Sequence, residues 1–193
     1  FYADPASLPQ SLQGATVRML HWWKDEISGV NAYDYTNGYI QMKRPSSMAI
    51  AQGDQFWLET VMSVSWSTGE WAYDATTSML NYAPYDDELI GMTELYVGVT
   101  EQLIRLNGVS NIHFDGLTFA RNGWAIPYYD AAPDFPQAAY DANSAVWVGS
   151  GKNIQFTGCT FRDIGSGCIR FDAGIKNATV FNCTFANIGA HAV

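Results

Sequence analysis

Three aspartates lie among aromatic residues in one stretch of the chain, residues 125–142, and this combination suits contact with a sugar. The stretch contains Asp130, Asp134 and Asp141 together with Tyr128, Tyr129, Phe135 and Tyr140. Aromatic rings stack on sugar rings, and carboxylates accept hydrogen bonds from hydroxyl groups. Asp134 and Asp141 are therefore candidate catalytic residues, and Tyr128, Tyr129, Asp130 and Tyr140 are candidate substrate contacts. The competing interpretation is a solvated, proline-rich loop whose aromatic residues cover a neighbouring surface.

Arg170 and Asp172 form a second candidate group, on a strand-like segment. Matching Ser144–Val148 to Cys168–Asp172 at a shift of 24 residues predicts inward Ala145, Trp147, Ile169 and Phe171, and outward Val146, Val148, Arg170 and Asp172. Arg170 could bind a uronate carboxylate in bidentate fashion, and Asp172 is a further candidate catalytic carboxylate. Glycoside hydrolysis needs two carboxylates about 5 to 9.5 Å apart, and Val148 occupies the position where a partner of Asp172 is expected.

The remaining reactive side chains favour structural roles. His21 with Trp22 and Trp23 could form a sugar platform, but a single histidine without a fixed partner is more often structural. The three cysteines, Cys159, Cys168 and Cys183, lack the spacing of a zinc site and are expected to be small buried thiols. The sequence contains no nucleophile motif of the Ser-His-Asp or Cys-His type and no phosphate-binding glycine loop.

Two short patterns suggest a modification and an ion site. Asn177 and Asn182 each begin an Asn-X-Thr triplet, which makes them glycosylation candidates if the chain is secreted by a eukaryote. The acidic run 86–88 (Asp-Asp-Glu) is a candidate for calcium, but neither an EF-hand nor a nonapeptide calcium pattern is present. A solvated acidic turn is the better interpretation, so the sequence predicts no cofactor and no metal site.

Internal repetition indicates which elements position these residues. Similar segments begin at Asn111 (NIHFDGLTFARNG), Asn153 (NIQFTGCTFRDIG) and Asn177 (NATVFNCTFANIG), with offsets of 42 and 24 residues. A period in the low twenties with alternating apolar residues indicates one coil of a parallel β-helix, and the longer offset is one coil plus an insertion. We therefore expect a right-handed parallel β-helix from about residue 100.

Equivalent residues of stacked coils should form ladders about 4.8 Å apart. The repeat places Phe119, Phe161 and Phe185 in one interior ladder and Leu117, Cys159 and Cys183 in another. Asn111, Asn153 and Asn177 form a third ladder at a bend, because asparagine tolerates the left-handed conformation and its amide can bond to the next coil. Cys159 and Cys183 are expected to stack as reduced thiols, since parallel side chains give poor disulfide torsions.

Residues 1–100 lack the repeat and contain short strand-like runs separated by Gly, Pro, Asn and Asp. Residues 69–74 (GEWAYD) and 79–84 (MLNYAP) predict a hairpin, with Trp71, Tyr73, Leu80 and Tyr82 paired across it. The fold class is therefore all-β. Two parts are predicted: an irregular β-rich region, 1–100, packed on the solenoid, and parallel β-helix coils, 101–193.

Composition excludes several classes of function. The 193 residues include 48% hydrophobic residues, so disorder is excluded. Ten Lys and Arg against 19 Asp and Glu give a net charge of -9, which argues against binding to nucleic acid. No apolar run approaches the roughly 20 residues of a membrane-spanning helix, so no membrane insertion is expected. The chain begins at Phe1 and ends within a repeat, and we expect it to be a fragment truncated at its C-terminus.

The segment GEWAYDATTSMLNYAP, followed by VSNIHFDGLTFARNGW and by the CTFRDIG and NCTFANIG corners, resembles secreted right-handed parallel β-helix repeat proteins. The similarity covers roughly residues 55–193. Many such proteins are glycoside hydrolases or polysaccharide lyases, so the resemblance implies an extracellular protein that binds or processes a polysaccharide. Whether this piece is an enzyme stays open. The alternative is a non-catalytic structural or adhesive module of a surface fibre, with end-to-end self-assembly through exposed strand edges.

Overall fold

The computed structural model of the chain describes residues 1–74, 76–89, 91–123 and 143–193, and these residues are all-β. They form fifteen strands and a short 3-10 helix, Pro5–Ser7. The chain divides into two compact units. The described residues of unit 1 are 1–74, 76–89 and 91–94, and those of unit 2 are 95–123 and 143–193.

Unit 1 is built on a four-stranded antiparallel sheet with the order β3-β2-β1-β4. The strands are β1 (Thr16–Leu20), β2 (Asp25–Asp34), β3 (Tyr39–Met42) and β4 (Phe56–Glu59). Along β1 the side chains alternate, so that Val17 and Met19 are buried while their neighbours are partly exposed. Leu8, Leu12, Ala15 and Ile40 complete the core of this sheet.

The pattern of the sequence does not predict β2, because this strand buries polar side chains. Glu26 and Ser28 are fully buried on it. Both are hydrogen-bonded to the segment after β3: Oε1 of Glu26 accepts from the backbone N–H of Ser47 at 3.0 Å, and Oγ of Ser28 accepts from that of Arg44 at 3.1 Å. Buried polar groups that are paired in this way do not carry a large desolvation cost.

The predicted hairpin is present in unit 1. Its strands are β5 (Trp71–Asp74) and β6 (Met79–Tyr82), which pair antiparallel with Trp71 opposite Tyr82 and Tyr73 opposite Leu80. Asp74 holds the turn, because its carboxylate accepts from the backbone N–H of Thr76 at 2.8 Å and from the hydroxyl of Thr77 at 2.7 Å.

Unit 2 contains three successive groups of three strands, which we call repeats 1, 2 and 3. Repeat 1 consists of β7 (Ile104–Leu106), β8 (Val109–Asp115) and β9 (Thr118–Ala120); repeat 2 of β10 (Ser144–Val148), β11 (Gly151–Thr157) and β12 (Thr160–Ile164); repeat 3 of β13 (Gly167–Phe171), β14 (Ile175–Phe181) and β15 (Thr184–Ile188). Corresponding strands pair in parallel, giving the sheets β7-β10-β13, β8-β11-β14 and β9-β12-β15. The predicted all-β class and its parallel pairing are thereby confirmed.

Phenylalanine rings stack between repeats as the sequence predicts. The ring centroids of Phe119 and Phe161 lie 4.8 Å apart, and those of Phe161 and Phe185 lie 5.0 Å apart, with interplanar angles of 9° and 6°. A second stack joins Phe114 and Phe156 at 4.8 Å. The spacing equals the distance between neighbouring strands, so each repeat adds one ring to the core.

The asparagine ladder is also confirmed. Asn111, Asn153 and Asn177 have left-handed φ values of 61°, 57° and 57°. The amide of Asn153 donates to the side-chain oxygen of Asn111 at 2.8 Å, and that of Asn177 donates to Asn153 at 3.0 Å. The backbone bends at each of these residues, and the amides connect the bends from one repeat to the next.

Two further columns of left-handed residues mark the turns of the repeats. They are Gly116, Gly158 and Asn182 in one column, and Arg121, Asp163 and Asn187 in the other. The free thiols follow the same regularity: Sγ of Cys159 contacts the carbonyl oxygen of Phe114, and Sγ of Cys183 contacts that of Phe156, each at 3.5 Å. Cys159 and Cys183 thus lie one repeat apart with both thiols free, as predicted, but Cys183 is only partly buried. Leu117, predicted for the same interior ladder, is 48% exposed.

The predicted side-chain directions of β10 are wrong by one residue. Val146 pairs with Ile169, Trp147 with Arg170 and Val148 with Phe171, a shift of 23 rather than 24 residues. Val146 and Val148 are therefore buried, and Trp147 lies on the outer face. Two residues separate β10 from β11, but three separate β13 from β14. An alignment that starts from Asn153 and Asn177 therefore shifts the preceding strands by one residue, and this shift exchanges their inward and outward side chains.

Candidate functional site

Three large side chains form a column on the outer face of the sheet β7-β10-β13. Arg105, Trp147 and Arg170 occupy equivalent positions on the three strands. The guanidinium carbon of Arg105 lies 4.6 Å from the centroid of the Trp147 ring, which is a cation–π contact. The column therefore presents an aromatic ring between two cationic side chains.

Gly149 allows the indole of Trp147 to lie close against the backbone. A Cβ atom at Gly149 would collide with the six-membered ring of Trp147. The indole is thus held along the turn after β10 rather than projecting freely into solvent. This restriction lowers the entropy that the side chain loses when a ligand stacks on it.

Asp172 follows β13 in the turn with the extra residue and fixes two members of the column. Its Oδ1 accepts a hydrogen bond from Nε of Arg170 at 2.8 Å, and its Oδ2 accepts one from Nε1 of Trp147 at 2.8 Å. The bond from Arg170 lowers the pKa of Asp172; partial burial opposes this effect, and the bond from Trp147 adds to it. Asp172 is thus a carboxylate at neutral pH, which suits an anchoring role and not that of a general acid.

A cleft of about 590 Å³ lies beside the column and is lined by Arg105, Trp147 and Arg170 together with Thr100, Glu101, Gln102, Asn143 and Ser144. Its volume is in the range of small-ligand sites. The carboxylate of Glu101 accepts a hydrogen bond from the amide of Asn143. The cleft therefore combines an aromatic ring, two guanidinium groups and an oriented carboxylate.

Ser144, which lines the cleft, forms a hydrogen bond with the side chain of His191. Nε2 of His191 lies 3.0 Å from Oγ of Ser144. The imidazole reaches Ser144 across Gly167, where a Cβ atom would collide with the ring. Ser144 is almost completely buried, so this pair fixes the wall of the cleft.

The predicted site residues are only partly accounted for. Arg170 and Asp172 lie at the column, on the outer side of the sheet as predicted. The other candidates, Tyr128, Tyr129, Asp130, Asp134, Tyr140 and Asp141, lie outside the described residues. Asn177 and Asn182 are exposed on repeat 3. Arg105, Trp147 and Glu101 were not among the predicted site residues. The run 104–106, with an arginine between two apolar residues, gives the correct alternation and is the signal that could have identified them.

His21 does not form a platform with the tryptophans that follow it. Its side chain is almost completely buried, and Nε2 lies 3.2 Å from Oε2 of Glu26 and 3.1 Å from Oγ of Ser46. Trp22 and Trp23 are exposed and meet edge to face, with centroids 6.4 Å apart. His21 therefore belongs to a buried polar cluster of unit 1.

In the acidic run 86–88, the candidate for calcium, the carboxylate of Glu88 is hydrogen-bonded to neighbouring protein groups. Oε2 of Glu88 accepts from the hydroxyl of Tyr82 and from the backbone N–H of Tyr85, the latter at 3.0 Å. Within the described ranges, no group of three or more His, Cys, Asp or Glu side chains is placed to hold a metal ion.

Comparison with protein-family models, with curated proteins and with solved structures finds no match to this chain. No helix among the described residues is long and apolar enough to span a membrane.

Proposed function

We propose that this chain is part of an extracellular right-handed parallel β-helix protein that binds a polysaccharide through the cleft at Arg105, Trp147 and Arg170. The β-helix is supported by the parallel pairing of all three repeats and by the stacked phenylalanine and asparagine residues. The resemblance of the GEW hairpin and the coil corners to secreted β-helix proteins supports an extracellular location.

The observation that carries the proposal is the arrangement around Trp147. The indole is immobilised by Asp172 and Gly149, so it offers a fixed ring for stacking on a sugar. Arg105 and Arg170 donate hydrogen bonds, and Glu101 accepts them, so both kinds of partner for hydroxyl groups line one cleft. Arg105 also suits a carboxylate group on the glycan.

Binding is the core of the proposal, and catalysis is a further step. Asp172 is engaged by Arg170 and Trp147, and Glu101 is the one carboxylate among the described lining residues of the cleft. A hydrolase needs a second carboxylate beside it. Glycoside hydrolase or polysaccharide lyase activity is therefore measured separately from binding.

Affinity electrophoresis in gels containing plant or algal polysaccharides tests the proposal. We expect retardation by at least one polysaccharide, loss of most of it in Trp147→Ala, and a weaker effect in Arg105→Ala. Trp22→Ala is the matched control, since it removes an exposed tryptophan of unit 1. Absence of retardation by every polysaccharide, or equal retardation of wild type and Trp147→Ala, would overturn the proposal. Assays of reducing ends and of unsaturated products in the same mixtures report hydrolase and lyase activity.

A further inference from the structure

Unit 1 contains a second cleft, of about 490 Å³, at the segment that begins the predicted hairpin. Its main lining residues are Glu59 and Thr60 at the end of β4, and Trp66, Glu70 and Trp71 at the entry to β5, with Leu58 and Ala72 among the apolar residues. Glu70 and Trp71 are the second and third residues of the GEW motif. The motif therefore has a place in a cleft as well as in the hairpin.

Each residue of the motif has a distinct physical role. Gly69 has a φ of 85°, and a Cβ atom there would collide with the hydroxyl end of Tyr85, so a glycine is required. Glu70 holds the entry turn, because its Oε2 accepts from the backbone N–H of Ser67 at 2.6 Å. Trp71 packs little of its side chain and is 67% exposed. A large aromatic residue exposed to this extent beside a cleft is available for a ligand.

The second tryptophan of the cleft is fixed in place. Nε1 of Trp66 donates to the carbonyl oxygen of Val61 at 3.2 Å, and the residue is half-buried. Val61 follows Thr60, whose φ of 59° is unusual for a β-branched residue. The backbone around Val61 is thus held in an uncommon conformation that orients this wall of the cleft.

The two carboxylates are oriented by bonds on one oxygen each. Oε1 of Glu59 accepts from Nε of Arg18 at 2.8 Å and from Nε1 of Trp57 at 3.0 Å. Among the described residues, Oε2 of Glu59 and Oε1 of Glu70 take part in no hydrogen bond. Each carboxylate can therefore accept a bond from a ligand without giving up an existing one.

The charge of the lining decides the class of ligand. Two carboxylates line this cleft, and none of the described lining residues is cationic. Arg18, which pairs with Oε1 of Glu59, is shared with Asp25, so the lining keeps a negative charge. An acidic sugar or a sulfate would be repelled, whereas the hydroxyl groups of an uncharged sugar would donate to the carboxylates. Trp66 and Trp71 supply the aromatic surface on which the apolar face of a sugar ring stacks.

We infer that the cleft of unit 1 at Glu59, Glu70, Trp66 and Trp71 is a binding site for an uncharged oligosaccharide. Among the described residues, this cleft and the polysaccharide cleft of unit 2 share no lining side chain, so the two sites can be tested separately. The GEW motif accordingly combines a structural glycine with two ligand-binding side chains.

Isothermal titration of the whole chain with cellobiose, xylobiose, mannobiose and maltose tests the inference, with glucuronic acid as a charged comparison. We expect at least one disaccharide to bind, Trp71→Ala to weaken it about tenfold or more, and Glu70→Gln to weaken it about threefold. Glucuronic acid should bind more weakly than the disaccharides. Trp22→Ala is the control for loss of an exposed tryptophan, and Trp147→Ala leaves this site intact.

Three outcomes would overturn the inference. The first is that none of the four disaccharides binds at millimolar concentration. The second is that Trp71→Ala and Glu70→Gln both bind like wild type. The third is that Trp147→Ala abolishes binding while Trp71→Ala does not, which would assign the sugar to unit 2. Glu70→Gln keeps an acceptor for Ser67, so it separates a ligand contact from a folding defect.

Discussion

The indole Nε1 of Trp147 donates a hydrogen bond at 2.8 Å to Asp172, a residue 25 positions further along the chain that occupies the position of Gly149 in the preceding repeat. Both atoms lie on the outer side of the sheet β7-β10-β13. The first residue of the longer turn after β13 thus supplies the carboxylate that orients the aromatic ring of the candidate site and the adjacent Arg170.

Replacing Asp172 with alanine should loosen the site with a modest cost in stability. The variant loses the acceptors of Trp147 and Arg170, and we expect the free energy of unfolding to fall by about 1–2 kcal/mol. The indole N–H resonance of Trp147 should exchange faster with solvent, as measured by NMR. Asp115→Ala, which removes an exposed aspartate of repeat 1, is the control. Unchanged exchange at Trp147 would show that Asp172 does not anchor the ring.

Substitutions at Asn153 should separate the two roles of the asparagine ladder. Asn153→Ala places alanine at a left-handed φ of 57°, which asparagine tolerates better, and removes the bonds to Asn111 and Asn177. We therefore expect the free energy of unfolding to fall by about 2–3 kcal/mol. Asn153→Gly removes only the bonds and should cost about 1 kcal/mol less. Urea denaturation followed by circular dichroism measures both. Equal stability of the two variants would contradict a conformational role for Asn153.

Acid should destabilise unit 1 through Glu26. Burial raises the pKa of this carboxyl, but hydrogen bonds from Ser46, Ser47 and His21 outweigh it and bring the pKa to about 2, against an ordinary value of 4.5. The folded form therefore binds the proton more weakly than the unfolded form. The resulting stabilisation, about 3 kcal/mol, is complete above pH 4.5 and is lost as the pH falls towards 2.

Denaturation curves between pH 7 and pH 2 measure this contribution. Glu26→Gln should be less stable at pH 7 and should lack the part of the decline that Glu26 causes. Ser47→Ala removes one donor to the carboxylate and should lie between the two. A wild-type decline below pH 4.5 that persists unchanged in Glu26→Gln would rule out this origin.

Expression through a secretory pathway that attaches N-glycans should modify Asn182 and not Asn177. Asn182 is exposed and lies in the turn column of Gly116 and Gly158, where an added Cβ atom would meet nothing closer than 4.0 Å. The amide of Asn177 instead donates to Asn153 at 3.0 Å. Mass spectrometry before and after glycosidase treatment should find one glycan, removed by Thr184→Ala and retained in Thr179→Ala. A glycan on Asn177 would contradict the prediction.

Much of unit 2 could be predicted from the sequence because stacking makes equivalent residues alike. Phe119, Phe161 and Phe185 share one chemical environment, so the same residue type recurs at the offset of the repeat. The left-handed asparagines recur for the same reason. The hairpin of unit 1 was equally readable, since its paired strands are local and its turn residues are typical.

The candidate sites were less accessible to sequence analysis. Trp147 was predicted to point inward because side-chain direction alternates with a period of two, and one inserted residue reverses it. The polar cluster around Glu26 joins residues from two segments separated by about twenty positions, and the cleft of unit 1 joins Glu59 to Glu70 across a loop without a repeat. No periodicity marks such contacts.

The sequence by itself determined the all-β class, the parallel repeats, the stacked residues of the core and the hairpin, because each follows from local alternation or from recurrence at a fixed offset. Only the tertiary structure decided that Trp147 faces outward between Arg105 and Arg170, that Asp172 holds it, and that Glu26 is a buried carboxylate. These features depend on a single turn length and on contacts between segments far apart in the chain, and folding brings them together without leaving a pattern in the sequence.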